Sequence, residues 1–150
     1  MFTTADARTP APDVAILNVA LGLELEAIAA YEAGAASKLL DGPTLALASA
    51  FLADHRRHRD VLLSWIRRLG GTPVQPKSAY DFGTIASATD IVALAHRLEQ
   101  GAADAYLTNA GKLVNAGVLD DAAGVLVDEV RHATALKMAL SLPVTTRPAY

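Results

Sequence analysis

Residues 129–132 read Glu129-Val130-Arg131-His132, in the middle of an otherwise apolar helical run. A Glu and a His three residues apart share one face of a helix. Val125 and Ala122 precede them, and Leu136 and Ala139 follow, at the spacing of a buried stripe. Thirty residues earlier stands Glu99, and seven beyond it Tyr106. The other half of the chain repeats the arrangement. Glu24 is followed seven residues on by Tyr31, and thirty-one on by His55-Arg56-Arg57-His58.

Each of these groups sits on an apolar stripe of 3–4 spacing. The stripes are Val14, Leu17, Leu21, Glu24, Ile28, Tyr31 and Ala35; then Ala48, Phe51, His55, His58, Leu62, Trp65 and Leu69. The second half gives Val92, Ala95, Glu99, Ala102, Tyr106, Asn109 and Leu113; then Ala122, Val125, Glu129, His132, Leu136 and Ala139. Asp, Lys and Arg are absent from all four, while six of the nine Glu and His residues fall on them. Trp65, Phe51 and Leu69 read as core at the far end of the helices.

Breakers divide the stripes. A helix is expected from about Asp13, as N-cap, to about Leu40, ahead of Asp41-Gly42-Pro43. A second runs from about Thr44 to Leu69, before Gly70-Gly71 and Pro73. A third spans about Asp90 to Asn115, with Gly117 as its stop, and the last starts near Asp120 and ends before Pro143. The long stretch between the second and third reads as a crossover outside the fold. The expectation is an all-α, antiparallel four-helix bundle over residues 13–142, with a loose arm at 1–12 and a tail at 143–150.

Composition agrees and excludes other classes. The 150 residues include 31 Ala, the best helix former, and 52% are hydrophobic. With no Cys there is neither a disulfide framework nor a thiolate metal site. A net charge of -3 without a basic stripe argues against a nucleic-acid partner. The apolar run from Val14 is interrupted by Asn18, Glu24 and Glu26, which argues against a membrane span. Met1 to Asp13 lacks a signal-type apolar core, so a cytoplasmic location is expected. Apolar residues beyond a single stripe point to a homodimer or larger homo-oligomer.

A buried carboxylate needs a partner or a metal, because its desolvation costs several kcal/mol. Three carboxylates and three imidazoles at similar depth suit a metal such as iron, manganese or zinc. The alternative is a metal-free polar core, in which Glu24 and Glu99 bond Tyr106 and Tyr31 and the bundle serves as an interaction module.

These residues resemble the ferritin-like superfamily, which includes ferritin, bacterioferritin and rubrerythrin. That pattern supplies one Glu from each of two helices and Glu-x-x-His from each of the other two. The resemblance implies a di-metal site, most simply iron, with an oxidase or ferroxidase type of activity. Its ligands would be Glu24, His55, His58, Glu99, Glu129 and His132, with Tyr31 and Tyr106 hydrogen-bonded to ligand carboxylates from across the bundle. His55 departs from the pattern by standing where its fourth Glu belongs, and Asp54 is the neighbouring residue that could substitute. His96 lies off the stripe and reads as a surface residue. Without Cys, a redox role implies an external electron donor.

Overall fold

The computed structural model describes residues 11–143. The expected arm and tail lie almost wholly outside the described residues. Four helices follow in order: α1 (Asp13–Ala36), α2 (Gly42–Arg68), α3 (Ala88–Ala110) and α4 (Ala116–Ala139). Helix α1 packs on α2 and α3, α3 packs on α4, and α2 packs on α4 over a smaller contact. The architecture is the expected all-α four-helix bundle.

The starts of α2, α3 and α4 are written locally. Asp41 caps α2 by accepting from the Thr44 N–H at 2.8 Å. Ser87 caps α3 by accepting from the Asp90 N–H at 3.2 Å, while Asp90 accepts from the Ala86 N–H at 3.0 Å. Asn115 caps α4 through the N–H groups of Gly117 and Val118, at 3.0 and 3.2 Å.

Several ends differ from the sequence expectation. Asp13 is not an N-cap. It is the first residue of α1, fully buried, and its carboxylate accepts from the N–H groups of Val114 and Asn115 at 3.0 and 2.9 Å. It fastens the α3–α4 turn to the start of α1. Gly117 does not stop α3 but lies in the first turn of α4. A Cβ there would come within 2.9 Å of the Trp65 ring, so the glycine makes room for that side chain. Helix α1 ends at Ala36 rather than Leu40, since Lys38 takes a positive φ of 61°.

The core has two apolar clusters. One holds Leu17, Leu21, Leu62, Ile66, Val118 and Val125. The other holds Tyr31, Phe51, Val92, Ala95 and Leu136. The stripes are corrected at several positions, and Ala139 at the end of α4 is exposed. Ile66 is fully buried where Trp65 was expected; Trp65 is half-buried and donates its Nε1–H to Asp121 at 2.6 Å. The strict seven-residue walk drifts on a helix of 3.6 residues per turn, so the buried position moves by one. Phe51 belongs to the other cluster from Trp65 and Leu69, not to a shared far end.

The crossover is pinned to α1. Asn18 accepts from the Val74 N–H at 2.8 Å and donates to the Thr72 carbonyl at 3.1 Å. Farther along, Phe82 and Ile85 line a small cavity with Ala30 and Gly34 of α1. This strap covers the α1–α3 side of the bundle. By length and composition α1 is the one described helix apolar enough to cross a bilayer. Here it lies within the bundle, with Glu24 and Tyr31 on its buried face.

Candidate metal centre

The six sequence-identified side chains meet in one layer of the bundle. Helix α1 contributes Glu24, α2 contributes His55 and His58, α3 Glu99, and α4 Glu129 and His132. None is more than 4% exposed. They form two overlapping groups, Glu24 with His55, His58 and Glu129, and His55 with Glu99, Glu129 and His132. In each group one candidate ligand atom per residue lies within 4.8 Å of every other. His55 and Glu129 are common to both.

Four helices are needed because no single one places more than two such groups on its inward face. The i, i+3 spacing on α2 and α4 stacks each pair along one side. The equal spacings in the two halves bring the pairs to one level.

The network around the layer is asymmetric. Tyr106 Oη donates to Glu24 Oε1 at 2.9 Å, and Tyr31 Oη donates to Glu99 Oε1. His55 lies between these carboxylates, with Nδ1 2.7 Å from Glu24 Oε2 and Nε2 3.0 Å from Glu99 Oε1. A carboxylate only accepts, so both ring nitrogens carry protons in this arrangement. Burial opposes the charge, but the carboxylates Glu24, Glu99 and Glu129 prevail and raise His55 to about 10.

His58 and His132 are held from behind. His132 Nε2–H donates to Asp54 Oδ2 at 3.0 Å, and His58 Nε2–H donates to Asp128 Oδ2 at 3.3 Å. Each then turns Nδ1 inward, His132 to Glu99 Oε2 at 3.3 Å and His58 to Glu129 Oε1 at 3.1 Å. Arg57 pairs with Asp54, and Arg131 with Asp128 at 3.0 Å. Asp54 is therefore not a substitute for the missing inward Glu. It orients His132, as Asp128 orients His58, and both Asp residues are partly exposed where α2 faces α4. Such carboxylate–histidine pairs fix the tautomer of a metal-ligating imidazole.

Sequence reasoning missed Asp128, Arg57 and Arg131. The signal was present, since Asp54-x-x-Arg57-His58 recurs 74 residues later as Asp128-x-x-Arg131-His132. His96 is half-buried on α3 and stands outside both groups.

Glu129 is the unsatisfied member. Its Oε2 makes no hydrogen bond, and its Oε1 has only the contact with His58 Nδ1 at 3.1 Å, which lacks hydrogen-bond geometry, although all three atoms are buried. Burial pushes the Glu129 carboxyl up to about 8, with Glu99 and Glu24 adding to the rise against the pull of His58. Glu24 and Glu99 move the other way. Burial would raise them, but the facing histidines hold both below the usual carboxylate range. Buried polar groups are nearly always partnered. A buried carboxyl and a facing imidazole nitrogen, 3.1 Å apart without hydrogen-bond geometry, are a donor set that fits a cation.

The ferritin-like domain family matches residues 12–142. A conserved hypothetical protein from Mycobacterium tuberculosis superposes with a TM-score of 0.79 at 25% identity, over 91% of this chain and 99% of that one. A ferritin-like, diiron-carboxylate protein from Bacillus anthracis str. Ames gives a TM-score of 0.70 at 20% identity, over 87% and 99% respectively. The latter likeness is one of fold. No curated protein matches the chain.

Proposed function

This chain belongs to the ferritin-like domain family, and from that premise we propose that its polar layer binds divalent transition-metal ions for redox chemistry. Iron is the first choice, with manganese or zinc as alternatives. The ligands are Glu24, His55, His58, Glu99, Glu129 and His132, which are brought together in two overlapping groups. The observation that carries the reading is Glu129, a buried carboxyl whose Oε2 has no hydrogen-bond partner and whose Oε1 meets His58 Nδ1 at 3.1 Å without hydrogen-bond geometry.

Bound ions of this kind supply Lewis acidity and, for iron or manganese, electron transfer to oxygen or peroxide. The chain's own residues do the rest. Asp54 and Asp128 accept from Nε2 of His132 and His58 and so turn Nδ1 of each ring into the layer. Tyr106 and Tyr31 fix Glu24 and Glu99 in orientation. The two apolar clusters close the layer against water. A mostly apolar cavity of about 180 Å³, lined by Tyr31, Leu47, Val92 and Leu136, borders one side and suits a small apolar reactant. With no Cys among the 150 residues, electrons would come from a separate donor. Exposed Val19, Val127, Val130 and Met138 support a homo-oligomer as the working form.

A second reading is favoured by one observation. His55 joins Glu24 to Glu99, and the tyrosines join the same carboxylates, so much of the layer is satisfied without any ion. A metal-free bundle serving as an interaction module would use that network alone. It leaves Glu129 unexplained, which is why the metal reading stands first.

The test is elemental analysis of the purified protein, with anaerobic titration by Fe(II), Mn(II) and Zn(II) and unfolding with and without chelator. The metal reading expects tight uptake and a stability loss in chelator, because a ligand of the folded state stabilises it. No bound metal and no uptake of any of the three would sink it.

A further inference from the structure

His55 occupies a position with two sides. Its Nδ1 faces Glu24 Oε2 at 2.7 Å and Glu129 Oε1 at 3.7 Å, while Nε2 faces Glu99 Oε1 at 3.0 Å. On the Nδ1 side stands His58, its own Nδ1 3.6 Å from Glu24 Oε2. On the Nε2 side stands His132, its Nδ1 3.3 Å from Glu99 Oε2. The layer thus has two halves, each with one Glu and one His, and only His55 and Glu129 belong to both.

We propose that His55 is a shared ligand, giving Nδ1 to an ion held with Glu24 and His58, and Nε2 to a second ion held with Glu99 and His132. Glu129 completes both sets with its two open oxygens. The proposal rests on the metal-binding reading above and assigns its stoichiometry and spacing.

The chemistry of the ring supports the assignment. An imidazole has one lone pair on each nitrogen once both protons are gone, and the two diverge in the ring plane. The second ion takes the place of the ring's last proton, leaving an anionic bridge. Three carboxylates and that ring then carry four negative charges, which balance two divalent ions. A neutral ring would leave the centre short by one charge. Because the lone pairs diverge, the ions are held farther apart than the roughly 3.5–4 Å usual in two-metal sites.

Zinc is the probe, being redox-silent and readily bound by His and carboxylate. The measurements are anaerobic titration calorimetry with elemental analysis, and X-ray absorption at the zinc edge, on wild type, His55→Gln and His55→Glu. Circular dichroism checks that each variant folds. Wild type is expected to bind two ions per chain without a zinc–zinc vector at about 3.5–4 Å. His55→Gln, which offers no two-sided donor, should fall to one ion per chain. His55→Glu should keep two and gain the short vector. If His55→Glu does not fold, wild type and His55→Gln decide the matter. One ion in wild type, a short vector in wild type, or two ions at unchanged affinity in His55→Gln would overturn the shared-ligand proposal and leave the metal reading intact. No uptake by wild type would overturn both.

Discussion

Replacing Glu129 by Gln should make the metal-free protein more stable and the metal-loaded protein less so. The carboxyl is fully buried and pushed up to about 8 from an ordinary 4.5. A carboxyl raised in the folded state contributes fully below about 4.5 and loses that contribution as pH rises through 8. At 1.36 kcal/mol per pH unit, the loss is about 3 kcal/mol at pH 7 and about 5 kcal/mol at pH 9. Gln escapes this term, because its amide does not ionise. It still places a buried amide where partners are scarce, which costs about 1–3 kcal/mol. The net gain in chelator is about 1 kcal/mol at pH 7 and about 3 kcal/mol at pH 9. For a chain of this length that is a Tm higher by about 3 °C and about 9 °C.

Zinc reverses the order. Wild type gains about 2.7 kcal/mol for each bound ion when free zinc is a hundredfold above Kd. The variant gains little, since a neutral amide cannot serve as an anionic ligand to both ions. Thermal unfolding at pH 7 and pH 9, in chelator and in zinc, reads all four values. A variant less stable than wild type in chelator at both pH values, with no widening between them and the same response to zinc, would refute the reasoning and make Glu129 a structural residue.

Three more outcomes follow from the same geometry. Asp54→Asn and Asp128→Asn should each lower metal affinity about 10–100-fold while leaving the helical spectrum unchanged, because the carboxylates act by orienting His132 and His58. Tyr106→Phe leaves Glu24 Oε1 without its donor; the expected loss in chelator is about 1.5–3 kcal/mol by urea unfolding, with metal affinity falling as well. Metal uptake at pH 7 should release protons, since His55 and His58 are raised to about 10 and Glu129 to about 8 in the metal-free layer. Calorimetry in two buffers of different ionisation enthalpy counts them, and affinity should climb with pH.

The inward residues were legible because a polar group on an apolar stripe contradicts its surroundings. Glu24, Glu99 and Glu129 declare themselves by position on one helix each, and the structure buries all three. Asp54 and Asp128 were not legible in that way. On their own helices they look like ordinary solvent-side acids, and their meaning comes from His132 and His58 on the facing helix. Asp13 is a similar case, since its carboxylate serves a turn 101 residues away in sequence. Helix ends failed for a related reason. A Gly ends a helix by taking a positive φ, which Gly117 does not; it is instead a notch for Trp65.

The departure at His55 is informative because of where it falls. By the internal repeat, His55 corresponds to Glu129, and these two alone belong to both ligand groups. A substitution at Glu24 or His58 would damage one half of the layer and spare the other. A substitution at a shared position changes a donor in both halves at once. His55 leaves each half with four donors, namely its own Glu, its own His, one oxygen of Glu129 and one ring nitrogen. Four donors complete the tetrahedral shell that zinc prefers in structural sites, leaving no open position. An ion that accepts six ligands keeps two open. If the layer performs redox chemistry, iron or manganese is therefore the working metal, and zinc should bind as an inhibitor that stabilises the fold.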